Sequence, residues 1–169
     1  GINIKSIWGD FVFKPNRVLK NASEYNDEPD FIIAATKIVK GLNLPKMIAP
    51  AVTKNTTIAL IQNGIFIENE MAAAFPENQV LSIIAFVDVV RSGLNSITHA
   101  GDGKLTIGEF SNPNPPKTKL LFDLLGKVSV PVILSDDIQF DRWKKLLWNA
   151  SFNPISVAYG DLDTKQILD

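Results

Sequence analysis

Three short and almost wholly apolar runs constrain the fold of this chain most strongly. They are 30–36, 57–62 and 80–87. Consecutive apolar residues are typical of a strand buried on both faces, which occurs mainly in parallel sheets covered by helices. The segments between the runs, 43–53 and 65–75, carry helix signals, among them Asn43 as an N-cap and Pro45 in the first turn. The alternation predicts a doubly wound α/β sheet.

The chain outside these runs predicts less regular β-structure. Residues 1–29 alternate short apolar stretches with Gly, Asp, Pro and Asn, which indicates irregular β-structure or extended chain. Further along, the segments 96–99 and 104–108 flank Gly101-Asp102-Gly103. Two short strands around a glycine-rich turn are typical of a β-hairpin, and we predict one here.

The last part of the sequence predicts a change to helices. A proline- and asparagine-rich linker, 112–116, precedes a helix and a short strand at 130–134. From Asp136-Asp137, which we predict to be the N-cap and first turn, the pattern stays helical to the end. We therefore divide the chain into an α/β domain over 1–135 and the beginning of an all-helical domain over 136–169.

Composition and charge exclude several classes of function. A net charge of −1 gives no reason to expect nucleic acid or an acidic membrane surface as a partner. The chain has no cysteine and a single histidine, His99, which excludes disulfides, cysteine nucleophiles and multi-histidine metal clusters. No run reaches the roughly 18 consecutive apolar residues of a membrane span. We expect no metal site, and a structural or solvent-exposed role for His99.

The two ends of the sequence have the character of the interior of a longer chain. Gly1 to Lys5 resembles neither a signal peptide nor a transit peptide, and the sequence has no initiator methionine. Thr164 to Asp169 has the pattern of a helix cut short. We expect an interior fragment of a larger protein.

The segment 141–157 contains the most informative pattern for chemistry. At 100° per residue, Lys145, Asn149 and Asn153 fall within about 80° of one another and form one polar stripe. Apolar side chains cover most of the remaining circumference, which predicts a buried helix whose polar stripe faces a partner, a cavity or a ligand. The alternative is an ordinary solvated helix face. We interpret Glu68 and Glu70 in that ordinary way, as an exposed face of the helical segment 65–75.

The same segment resembles a known family. Trp143-x-Lys145-Leu146-x-x-Asn149-x-x-x-Asn153-Pro154 is similar to a stretch of the ketopantoate reductases. Further segments resemble the family in the same order along the chain, namely Gly1–Asp10, Asp30–Lys37, Gln62-Asn63-Gly64, and His99-x-Gly101 with Ile107-Gly108. Each of these further segments alone is only weakly specific for the family, whereas the helix with the lysine and the two asparagines is fairly specific. Together the segments cover nearly the whole chain.

The resemblance implies a fold, a reaction and roles for particular residues. The expected fold is a Rossmann-like parallel sheet, lacking its first strand and glycine loop, followed by the start of an all-helical domain. The expected reaction is the NADPH-dependent reduction of 2-dehydropantoate to pantoate in the cytoplasm, for pantothenate and coenzyme A synthesis. Lys145 would be the general acid, Asn149 and Asn153 would bind substrate, and Asn63 would contact substrate or cofactor. Lys37 would line the cofactor cleft, although a charged residue that merely ends a strand is the alternative.

One departure from the family pattern limits these expectations. No G-x-G-x-x-G loop is present, and Gly101-Asp102-Gly103 does not replace it because it does not open a helix. We expect the 169 residues alone to bind NADPH poorly and to be inactive. Three functions remain open: this enzyme, a related reductase of another 2-keto acid or ketone, and a non-catalytic binding or oligomerisation module. The partner we expect is a small keto acid, and a homodimer is one assembly that the sequence allows.

Overall fold

The computed structural model describes residues 1–127, 130–160 and 162–168. Within those ranges the strands are β1 Ile2–Ser6, β2 Phe11–Phe13, β3 Phe31–Ala34, β4 Thr57–Leu60, β5 Val80–Gly93, β6 Ser96–Ser111 and β7 Val132–Leu134. The α-helices of the same ranges are α1 Leu44–Ile48, α2 Ile67–Ala74, α3 Pro115–Gly126, α4 Ile138–Ala158 and α5 Thr164–Leu168. Short 3-10 turns occupy Ala22–Glu24 and Ala49–Ala51.

All seven described strands belong to one mixed sheet. Its order is β2-β1-β6-β5-β4-β3, and β7 pairs with β6 further along the edge that also carries β1. The strands β3, β4 and β5, which correspond to the three apolar runs, are parallel. The pair β5 and β6 is antiparallel, so the sheet as a whole is not parallel. The α/β fold class is confirmed, with this correction to the sheet.

The predicted hairpin over 96–108 is wrong. Residues 96–111 form one continuous strand, β6, whose hairpin partner is the equally long β5, and the turn lies at Leu94-Asn95. Asp102 and Gly103 have φ values of 56° and 115°, and the register shifts opposite them, between Phe86 and Val87. A β-bulge needs such backbone angles as much as a turn does, so the glycine-rich pattern was compatible with either.

The two faces of the sheet carry separate hydrophobic cores. Ile58 and Leu60 of β4 pack towards α1 and α2, whereas Ala59 packs on the opposite face with Leu121 of α3. Every residue of β4 is buried. Successive side chains of a strand point to opposite faces, so a strand covered on both sides must be apolar or paired at each position. The interpretation of the run at 57–62 as a doubly buried strand is thus confirmed for Thr57–Leu60.

Helix α4 begins where predicted but is neither buried all round nor continuous to the end. The Asp137 side chain accepts a hydrogen bond from the amide of Phe140 at 2.9 Å, as an N-cap does. The outer surface of α4 is open, with Leu147 68% and Val157 74% exposed. A break separates α4 from α5, and the parts of the helical prediction at 161 and 169 lie outside the described residues. No helix in the described ranges has the length and apolar character needed to cross a membrane.

Candidate functional site

An open cleft of about 750 Å³ lies past the carboxyl ends of β3 and β4. The segments that follow these two strands form its floor, β5 and the bulge of β6 form one wall, and α4 forms the other. Its polar lining residues are Thr36, Lys37, Gln62, Asn63, Asp88, Asp102, Lys145, Asn149 and Asn153. In open α/β sheets the carboxyl ends of parallel strands are where ligands bind.

All five residues singled out in the sequence line this one cleft. Lys37 comes from the segment after β3, and Asn63 from the turn after β4. Lys145, Asn149 and Asn153 project from α4 at intervals of four residues. The polar stripe of the helix therefore faces a cavity, which was the more specific of the two interpretations. The individual roles of these residues stay predictions.

The ammonium group of Lys145 is held at the junction of the two walls. Nζ donates to Oδ1 of Asn63 at 2.8 Å and to the carbonyl oxygen of Ala85, and it lies 5.1 Å from the centre of the Phe86 ring. Partial burial lowers the pKa of Lys145 from its ordinary value, and the nearby positive charge of Arg142 lowers it further. The lysine is thus fixed in direction and made a stronger acid than one in water.

The turn that carries Asn63 is fixed by its own sequence. Gly64 adopts a φ of 121°, a left-handed conformation that side chains disfavour, so the chain turns sharply directly after Asn63. Gln62 Nε2 donates to the carbonyl oxygen of Thr36 at 2.7 Å and to its Oγ1 at 3.0 Å. These bonds join the ends of β3 and β4 and bring Lys37 and Asn63 to the same floor.

Asn149 and Asn153 continue the stripe from Lys145 towards the open end of the cleft. Asn149 is half-buried and Asn153 is exposed. The Oδ1 atom of Asn63 accepts the hydrogen bond from Lys145, and the Nδ2 atom remains as the donor that Asn63 can offer to a ligand. The cleft therefore combines the carboxamides of its three asparagines with two ammonium groups, Lys145 and Lys37, and two carboxylates, Asp88 and Asp102, a set suited to a polar small molecule.

Sequence reasoning missed a buried ion pair, and it placed Glu68 wrongly on an exposed face. Glu68 of α2 is 2% exposed, and its carboxylate pairs with the guanidinium of Arg142, which is 6% exposed. Burial lowers the pKa of Arg142, and the charge of Glu68 opposes that effect. One signal was present in the sequence: Arg142 lies three residues before Lys145 and so belongs to the same stripe of α4.

Comparison with known proteins gives consistent matches. A sequence profile described as ketopantoate reductase PanE/ApbA matches residues 1–112. A 2-dehydropantoate 2-reductase from Nostoc sp. is 27% identical over 170 aligned residues, covering 94% of this chain and 51% of the relative. The chain thus spans about half the length of the curated relatives it matches.

Solved structures match over nearly the whole chain. The crystal structure of 2-dehydropantoate 2-reductase from Methylococcus capsulatus matches with a TM-score of 0.89 and 39% identity, covering 99% of this chain and 55% of that one. The corresponding structure from Geobacter metallireducens gives a TM-score of 0.82 and 26% identity, covering 92% and 52%.

Proposed function

Because the chain belongs to the ketopantoate reductase PanE/ApbA family of oxidoreductases, we propose that its complete gene product reduces a 2-keto acid with NADPH. The proposed substrate is 2-dehydropantoate, the product is pantoate, and the reaction would serve pantothenate synthesis in the cytoplasm. The observation that carries the proposal is the placement of Lys145, whose Nζ is bound by Asn63 in a polar cleft past the ends of parallel strands.

In the proposed reaction Lys145 acts on the ketone oxygen. NADPH, when bound, supplies the hydride that reduces the carbonyl carbon. Nζ of Lys145 donates a hydrogen bond to the carbonyl oxygen, stabilises the negative charge that develops there, and transfers its proton to give the hydroxyl group. The neutral amine then regains a proton from solvent. Asn63 keeps Nζ in place because its Oδ1 accepts from that group at 2.8 Å.

The remaining cleft residues fit a keto acid and the nicotinamide end of a dinucleotide. Asn149 and Asn153 follow Lys145 along α4 and would bind the carboxylate and hydroxyl groups of the substrate. Asn63 Nδ2 and Lys37 lie past the ends of β4 and β3, where a dinucleotide crosses such a sheet. Lys37 would place a positive charge beside the anionic cofactor.

The test is turnover by the complete gene product and by two matched lysine variants. Lys145→Met removes the proton donor, and Lys144→Met removes the charge of the neighbouring residue. Lys144 is a matched control because it pairs with Asp141 at 2.8 Å and lies over the Phe140 ring, away from the cleft. We expect kcat/KM for 2-dehydropantoate with NADPH to fall by about 10²–10⁴-fold in Lys145→Met and to stay unchanged in Lys144→Met.

Other outcomes identify the alternatives. Turnover of a different 2-keto acid or ketone, still dependent on Lys145, assigns the chain to a reductase of that substrate. Binding of NADPH without turnover of any ketone in a broad panel favours a non-catalytic module. Equal activity in both lysine variants would refute the role of Lys145. Assays with NADH in parallel identify the preferred cofactor.

A further inference from the structure

Arg142 and Glu68 form a buried ion pair directly behind the contact between Lys145 and Asn63. The guanidinium of Arg142 donates from Nη1 to the carbonyl oxygens of Gln62 at 2.8 Å and Gly64 at 3.0 Å. Those two carbonyls lie on either side of Asn63. The guanidinium of Arg142 therefore binds the turn on both sides of Asn63. Asn63 is in turn the hydrogen-bond partner of Lys145, which follows Arg142 by three residues in α4.

The rest of the guanidinium is also bound. Nε donates to Oγ of Ser82 at 2.7 Å and pairs with the carboxylate of Glu68. Arg142 thereby links α4 to α2, to β5 and to the turn after β4. The planar fork of arginine suits such divergent acceptors, whereas a lysine offers one ammonium on a flexible stem.

Stability alone does not explain a pair of this kind. Withdrawing two charges from water is costly, and apolar residues of similar volume often serve equally well or better. What a buried arginine with several hydrogen bonds and one ion-pair partner provides is a fixed geometry. The pair lies beside Lys145 and Asn63, and the outer surface of α4 is open. The fixed geometry therefore serves the contact between these two residues.

We propose that Arg142 and Glu68 are positioning residues, which hold the ammonium of Lys145 and the carboxamide of Asn63 in the arrangement needed for proton transfer. The pair acts through Lys145 and touches no reacting atom. The inference rests on the proposed function, in which Lys145 is the general acid. Arg142 also places a permanent positive charge near Lys145, so its loss affects both the direction and the acidity of the lysine.

Other charged groups near Lys145 belong to the elements packed around it. They are Arg142 on α4, Glu68 on α2, Lys37 after β3, Asp88 on β5, and Asp102 and Lys104 on β6. Of these, Arg142 is the one whose charge lowers the pKa of Lys145, in addition to the effect of burial. Removal of Arg142 together with Glu68 should therefore raise that pKa towards 10.5, its ordinary value.

The experiment uses three variants of the complete gene product. Glu68→Gln with Arg142→Met removes both charges, so that no unpaired charge stays buried. Arg142→Lys keeps the positive charge but loses the fork. Lys119→Met with Asp123→Asn, the matched control, removes an exposed ion pair from α3. Thermal unfolding first establishes the temperature range in which each variant is folded.

Two independent measurements follow in that range. One is kcat and KM for the keto acid that the wild type turns over. The other is the pH dependence of acetic anhydride labelling at Lys145, followed by mass spectrometry with Lys144 as the internal reference. Labelling reports the pKa of the lysine without requiring turnover.

We expect kcat to fall about 10- to 100-fold in the charge-free double variant, with a smaller change in KM. Its labelling profile should shift to higher pH at Lys145 and not at Lys144. Arg142→Lys should lower kcat with little shift of the labelling profile, and the α3 control should behave as wild type. Loss of thermal stability with kcat and labelling unchanged would overturn the inference and leave a purely structural pair.

The two proposals fail in distinguishable ways. If the wild type reduces no keto acid but labelling shifts as expected, Arg142 still lowers the pKa of Lys145, while the proposed function and the positioning role in proton transfer both fail. If Lys145 is required for turnover but neither kcat nor labelling changes in the variants, the proposed function stands and the positioning role is refuted. Should the double variant not fold, Arg142→Lys still tests the effect on kcat.

Discussion

The contact between β6 and the first turn of α4 makes the substitution Gly108→Ala a sharp test of how the site is held. A Cβ at Gly108 would overlap Cβ of Ile138 and lie 3.0 Å from its Cγ1 and 3.2 Å from its Cγ2. Ile138 is only 4% exposed, so it is enclosed by neighbouring atoms. Because the nearest atom is a Cβ fixed to the helix backbone, a rotamer change does not relieve the overlap.

The size of the effect follows from these separations. Carbon atoms pack at about 3.5–4.0 Å, so the start of α4 must move away from β6 by about 1 Å. Overpacking of this kind costs about 1–3 kcal/mol, and each kcal/mol lowers Tm by roughly 2–4 °C in a unit of about 150–250 residues. Lys145 lies two turns further along α4, and a displacement of about 1 Å at a reacting group costs up to about 100-fold in rate.

The assay compares Gly108→Ala with Gly126→Ala in the complete gene product. A Cβ at Gly126, the last residue of α3, meets no atom of the described residues within 4 Å. We expect a lower Tm and a lower kcat for Gly108→Ala, and an unchanged or slightly raised Tm for Gly126→Ala, since alanine is the better helix former. Wild-type Tm and kcat in Gly108→Ala would refute the reasoning, because α4 would then not depend on close contact with β6.

Three further predictions concern pH and side-chain contacts. Reduction needs protonated Lys145, and burial and the charge of Arg142 lower the pKa of this lysine. A pH profile of kcat should therefore show activity lost with rising pH, through a midpoint below 10.5, the ordinary value. A midpoint at or above that value contradicts the assignment. Asn63→Leu removes the acceptor of Nζ and should lower kcat about tenfold with little change in Tm, as steady-state kinetics and calorimetry would establish. Gln79, which is buried and donates to Glu109 at 2.9 Å, lies outside the cleft. Gln79→Leu should cost about 1–3 kcal/mol in urea unfolding without changing kcat in the folded range.

Local signals were sufficient to predict the parallel part of the sheet. The four residues of β4, Thr57 to Leu60, are consecutive and all buried, and its neighbours β3 and β5 begin as similar runs. The pairing of β6 was beyond local signals. Asp102 and Gly103 carry the backbone angles of a turn, yet β6 continues through them because its partner β5 is long enough to pair on both sides of the bulge.

The site was predictable where it depended on helical spacing and not where it depended on distant partners. Lys145, Asn149 and Asn153 share one face because four residues make slightly more than a helical turn. Glu68 was placed wrongly because it stands beside polar Asn69 and Glu70, and a glutamate is rarely buried without a partner. Its partner Arg142 lies 74 residues later in the chain, and no periodicity of the sequence connects the two positions.

The placement of the predicted general acid depends on the first two turns of α4. Among the residues of this helix, all of them described, Ile138 and Arg142 are buried. Ile138 packs against Gly108 of β6, and Arg142 grips the turn on both sides of Asn63. Two anchors four residues apart lie on one face, and together they fix both the position and the rotation of the helix. Lys145 follows within one turn, so its ammonium can be held accurately although the outer surface of α4 is open.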